Sequence, residues 1–156
     1  TISTTGRSSI WMSKPAGQRS SPAHSRYSHM GRLFSLWLPP AAWAGLIFGL
    51  SSWSGPERPP PLWFPGLDKL AHAVLFGVLG LLLFRAFASS RGMRRAVILA
   101  SAVTALYGAT DEWHQSFNAA RSVELMDFAA DCAGGIAGAL AGCAIAARWH
   151  QRGRLS

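Results

Sequence analysis

The sequence predicts an all-α polytopic membrane protein with four transmembrane helices and both termini in the cytoplasm. Three observations carry that prediction. Four apolar stretches, at residues 33–52, 69–87, 96–115 and 123–147, each have roughly the 20 residues that a helix needs to cross a hydrocarbon core about 30 Å thick. Twelve of the fifteen Lys and Arg flank the ends that then share one side. They are Arg7, Lys14, Arg19, Arg26 and Arg32 before the first stretch, Arg85, Arg91, Arg94 and Arg95 between the second and third, and Arg148, Arg152 and Arg154 after the fourth. All seven acids (Glu57, Asp68, Asp111, Glu112, Glu124, Asp127 and Asp131) gather on or near the opposite side. Basic flanks stay in the cytoplasm, so loops one and three face outward.

Composition fits one compact bundle. A net charge of +8 and a pI of about 11.1 would suggest nucleic acid in a soluble protein. Here the basic residues sit in short flanks beside apolar spans, where they set orientation and meet anionic lipid, so no nucleic-acid partner is expected. Cys132 and Cys143 fall on one helix about 16 Å apart, too far for a disulfide.

In chain order, residues 1–29 hold eight Ser, four Lys or Arg and no acid, and are expected to be disordered. Such a stretch resembles an organellar transit peptide, but the preferred reading is sequence upstream of a start at Met30. Residues 30–150 form the membrane domain and 151–156 a cytoplasmic tail. Span one carries Pro39 and Pro40, which remove helical hydrogen bonds that neighbouring helices must replace. The first loop holds Pro56, Pro59, Pro60, Pro61 and Pro65, and should be extended, with Trp53 and Trp63 at the headgroups. Asp68 reads as the N-cap of span two, and Ser122 as that of span four. Within span four, Ala130, Gly134, Gly138 and Gly142 make a small-residue series that admits a second helix at close range.

Ionisable residues inside a span are expensive and are candidates for function. In span two, Asp68 and His72 are four residues apart and share a face. Span three ends in Asp111, Glu112, Trp113, His114 and Gln115, with Glu112 and Gln115 on the face of Gly108 and Asp111 and His114 on another. Span four brings Asp127 and Asp131. These residues should converge in one layer below the outer headgroups. Asp127 and Asp131 repel if both are ionised. A shared proton, a protonated His72, a bound cation or a cationic ligand group must relieve that repulsion. Arg121, in the third loop, can clamp an anionic group.

Four segments together resemble the VanZ-like family of small bacterial membrane proteins. They are residues 46–52, the run Asp68-Lys69-Leu70-Ala71-His72, the run from Tyr107 to Gln115, and the run from Arg121 through Asp127 and Asp131 to Gly134. The resemblance spans residues 33–147 and implies a multi-pass protein of the bacterial inner membrane linked to the cell envelope. The family's name-bearing member is associated with resistance to the glycopeptide teicoplanin. Recurring polar positions carry over to Asp68, His72, Glu112, Gln115, Arg121 and Asp127. Two departures stand out. Ala119 and Ala120 precede Arg121 where the family often has Pro-Gly, and Asp131 stands where many members have Asn.

The expected function is an outward-facing intramembrane site that binds or modifies an envelope component: a lipid headgroup, a lipid-linked wall intermediate or a glycopeptide. His72, Glu112 and Asp127 are the expected chemical residues, and Asp68, Gln115, Arg121 and Asp131 the expected ligand-binding ones. Membrane lipid is the expected partner, and no cofactor, substrate or oligomeric state is specified. One rival is a metal-dependent membrane enzyme using His72, Glu112, His114, Asp127 and Asp131, though no strict metal spacing is present. Others are a proton or cation pathway, which the apolar inner halves of spans two and four oppose, and a structural partner in an envelope complex.

Overall fold

A computed structural model describes residues 22–52, 66–117 and 124–153, with side chains from Met30 onward in the first segment. It contains α1 (Pro22–Ser52), α2 (Leu67–Ala88), α3 (Met93–Gln115) and α4 (Leu125–Arg152). Among the described residues there is no strand. Three helices are long and apolar enough to cross a membrane: α1 from Met30, α2 and α4. The third, α3, has a comparable 23 residues but is more polar, with Arg94 and Arg95 at one end and Asp111 and Glu112 near the other. Its buried residues, among them Ala96, Ala100, Thr104, Gly108, Asp111 and Glu112, face α2 and α4.

The helices overrun the apolar stretches. The first helix begins at Pro22, so the last eight residues of the segment expected to be disordered are helical. The end of α4 reaches Arg152 rather than 147. Arginines are good helix formers and can carry their charge to the headgroups, so a helix need not stop where hydrophobicity stops. The starts differ as well. Asp68 is not the N-cap of α2; Gly66 is, at φ 89°, a left-handed conformation that suits glycine, and Asp68 lies in the first turn. Glu124 occupies the N-cap of α4. Ser122, Trp53, Trp63 and the prolines of the first loop lie outside the described residues.

The closest pairing is α2 against α4. A Cβ at Gly134 would lie 2.8 Å from the Cα and carbonyl carbon of Ala73, and one at Gly138 would lie 2.7 Å from the carbonyl carbon of Gly77. Backbone thus meets backbone, and dispersion over that seam replaces the hydrophobic drive that lipid cannot supply. Further along, Gly142 faces the Phe84 ring. The apolar core beneath comprises Ile47, Phe76, Leu79, Leu83, Phe84, Ala96, Ala100 and Ala139.

The first helix lies to one side, against α2 and less against α3. Hydrogen bonds hold it there. The Trp43 indole donates to the Leu75 carbonyl at 2.9 Å, and the Tyr107 hydroxyl to the Ala44 carbonyl at 2.6 Å. Pro39 has no N–H to offer the carbonyl of Ser35, four residues back; Arg85 Nη1 from α2 donates to that oxygen at 3.3 Å.

Candidate functional site

A buried polar layer lies at the end of the bundle where α1 and α3 finish and α2 and α4 begin. Ser51, Asp111, Glu112, Gln115, Asp127 and Asp131 are all buried there. At 1.5 Å per residue, Asp131 lies about 9 Å into α4 and His72 about 7 Å into α2. His72 Nδ1 and Asp131 Oδ1 are 2.9 Å apart, and Asp131 is fully shielded from solvent. Room for the aspartate comes from Gly108 of α3, where a Cβ would lie 3.1 Å from Asp131 Cβ and 3.2 Å from Oδ2. Phe76 closes the floor, also in contact with Gly108.

Three further sets surround this pair. Lys69 Nζ donates to Glu124 Oε2 and Asp127 Oδ1 at 2.6 Å and to Asp68 Oδ2 at 2.9 Å. Gln115 Nε2 donates to Asp111 Oδ2 at 2.9 Å and to Ser51 Oγ at 3.0 Å, tying α3 to α1. Glu112 Oε2 accepts the backbone N–H of Glu124 at 3.2 Å, which pins the start of α4 to the end of α3. His72, Asp111, Glu112, Asp127 and Asp131 are near enough for their charges to act on one another.

Two carboxylate oxygens in this layer have no hydrogen-bond partner among the described residues: Glu112 Oε1 and Asp131 Oδ2. A buried carboxylate oxygen without a donor is costly, by about 1–3 kcal/mol or more for a charged group. Such an atom is satisfied by a proton, a water or a ligand donor.

The layer gathers most of the expected residues but pairs them differently. His72, Glu112, Asp127, Asp131, Gln115 and Asp68 all belong to it; Arg121 lies outside the described residues. The direct partner of His72 is Asp131. Glu112 and Gln115 share the buried face of α3 with Gly108 as expected, and Asp111 joins them there and accepts a hydrogen bond from Gln115. His114 turns away to α1, where Nε2 lies 3.0 Å from Ser52 Oγ and the ring packs on Phe48. The expected five-residue metal set is therefore not assembled. Among the described residues, the group with metal-ligand proximity is Asp68, Glu124 and Asp127, whose ligand oxygens lie within 4.8 Å of one another. The Lys69 ammonium already bonds to all three.

The expected site residues left out Lys69, Asp111 and Ser51, of which Asp111 was expected in the layer without a role. Lys69 sits between Asp68 and His72 in the very run that carries the family resemblance. Asp111 and Gln115 are four apart and therefore neighbours on a helix surface, a signal that was present. Ser51 offered none: only the approach of α1 to α3 makes it a partner.

A model of the VanZ/LLP1 family matches residues 9–146. No curated protein and no solved structure matches the chain. Because the family match runs from ahead of α1 to near the end of α4, across every residue of the polar layer, the chain belongs to the VanZ/LLP1 family.

Proposed function

We propose that this membrane protein binds or modifies a cell-envelope component at the outward-facing polar layer of the bacterial inner membrane. The component is a lipid headgroup, a lipid-linked wall intermediate or a glycopeptide. One observation carries the reading. The buried Asp131, paired with the half-buried His72, stands in one layer with Glu112, and each of the two acids presents an oxygen with no donor among the described residues. A purely structural network would close its own hydrogen bonds. Open acceptors at a histidine–carboxylate pair suit a site that receives a donor from a ligand.

In this reading Asp131 orients the His72 imidazole, as a carboxylate does for a histidine that holds or moves a proton. Glu112 supplies the second proton-transfer group, and the Lys69 cluster lies across the entrance to α2 and α4. Arg121 remains the candidate clamp for an anionic group. The test is protection of a susceptible bacterial host against a lipidated glycopeptide. Wild-type protein should raise the tolerated concentration; His72→Ala, Glu112→Gln and Asp131→Asn should not, at equal membrane abundance. Full protection by all three variants would transfer the polar layer to a structural role.

A further inference from the structure

An apolar groove of about 580 Å³ runs along the outside of the α2/α4 seam. Ala73, Gly77 and Leu81 line it from α2, and Ala133, Ala137 and Ala141 from α4. No residue of α3 or α1 contributes, and every lining residue is Ala, Gly, Val or Leu. Its floor exists because Gly134 and Gly138 let the two backbones touch. Its walls are low because alanines border it. The volume falls in the range of small-molecule sites, about 300–1,000 Å³.

The groove leads to the polar layer. On α2, Lys69, Ala73, Gly77 and Leu81 follow at intervals of four, so Lys69 heads the same face. On α4, Asp127, Gly134, Gly138 and Ala141 follow at seven, four and three, so Asp127 heads that face. Lys69 and Asp127 are bonded to each other, about 6 Å along α2 from Ala73 and about 9 Å along α4 from Ala133. An apolar trough about 12 Å long, from the eight-residue rise between Ala73 and Leu81, therefore ends at a charged cluster. That is the outline of an amphiphile.

Lining and charge point to the occupant. The groove's lining is Ala, Gly, Val and Leu alone and the groove ends at a charged cluster, so an occupant with an apolar chain and one polar end matches both parts. At its head, three carboxylates (Asp68, Glu124 and Asp127) surround one ammonium, a net excess of negative charge. We propose that the α2/α4 groove seats the hydrocarbon chain of a phospholipid whose primary-ammonium headgroup lies on the Asp68/Glu124/Asp127 carboxylates. Lys69, which bonds all three carboxylates in this structure, would give up at least one of them to the lipid ammonium and turn that N–H to the phosphate. The proposal rests on the polar layer being a ligand site, and names the class of ligand.

The experiment uses the full chain in nanodiscs of equimolar phosphatidylethanolamine and phosphatidylglycerol, released for native mass spectrometry. The expected result is retained phosphatidylethanolamine, at least several-fold over phosphatidylglycerol. Ala137→Trp, which fills the exposed groove, should remove most of the retained lipid, with helicity by circular dichroism as the folding check. Glu124→Gln with Asp127→Asn should erase the headgroup preference. A second measurement needs no variant. Phosphatidylethanolamine with a photoreactive acyl chain should crosslink to residues 73–81 and 133–141 of the wild-type chain.

Equal retention of the two lipids by wild-type protein, or crosslinks spread evenly over all four helices, would overturn the proposal. So would a dimer that Ala137→Trp abolishes, since the occupant would then be a second copy. His72→Ala separates the two readings. If it keeps lipid preference but loses protection, both stand. If it keeps both, the groove proposal survives and the catalytic reading of the layer fails.

Discussion

Gly138→Ala adds one methyl group at the tightest point between α2 and α4, and its consequences can be worked from the geometry. The new Cβ would lie 2.7 Å from the carbonyl carbon of Gly77, 3.0 Å from its Cα, and closer still to its carbonyl oxygen. Carbon atoms rest at about 3.5–4.0 Å, so the helices must separate by roughly 1 Å. Every obstructing atom belongs to backbone, so no rotamer change relieves the clash. Overpacking of this kind costs about 1–3 kcal/mol. The damage should also travel. Asp131 lies seven residues ahead on α4, about 10 Å away, and its bond to His72 crosses the same two helices. A separation of about 1 Å carried that far would stretch the contact beyond hydrogen-bond reach. Reversible unfolding of the purified protein in mixed micelles, followed by circular dichroism, measures the stability change; the glycopeptide assay measures the effect on the site. Gly142→Ala is the control, because its Cβ meets the Phe84 ring, a side chain that can turn aside. Gly138→Ala within about 0.5 kcal/mol of wild type, the range of a neutral surface change, would refute this reasoning. So would a larger loss for Gly142→Ala.

Two further outcomes are expected. Lys69→Met leaves Asp68, Glu124 and Asp127 without their shared cation and should destabilise, chiefly through the part-buried Asp127 contact, by about 1 kcal/mol in the same unfolding assay; a further Asp127→Asn should recover part of that loss. For topology, reporters fused after Gly55 and Asn118 should read external and one after Arg91 cytoplasmic, because basic residues flank the ends joined to Arg91; the reverse pattern would place the polar layer on the wrong side of the membrane.

Much of this architecture is a one-dimensional property. The length of an apolar run and the charges beside it are local, and the bilayer reads them locally, so an all-helical membrane protein follows from residues 30–150 without knowledge of any contact. The small-residue series from Gly134 to Gly142 likewise announces a close helix partner, since only small side chains admit one. Rise per residue also put His72, Glu112 and Asp131 at matching heights. The partner choices were not local. Whether His72 meets Asp127 or Asp131 depends on how α2 and α4 are rotated about their axes, and the Gly134–Ala73 and Gly138–Gly77 contacts decide that rotation. Lys69 becomes the centre of three carboxylates only because the same rotation turns it toward α4. The burial of both Asp111 and Glu112, adjacent in sequence and about 100° apart on the helix, requires α3 to have neighbours on a broad face. Sequence sets which residues lie at one depth, because rise per residue is constant. Which of them touch is set by helix rotation and contact across elements, and only the tertiary structure supplies those.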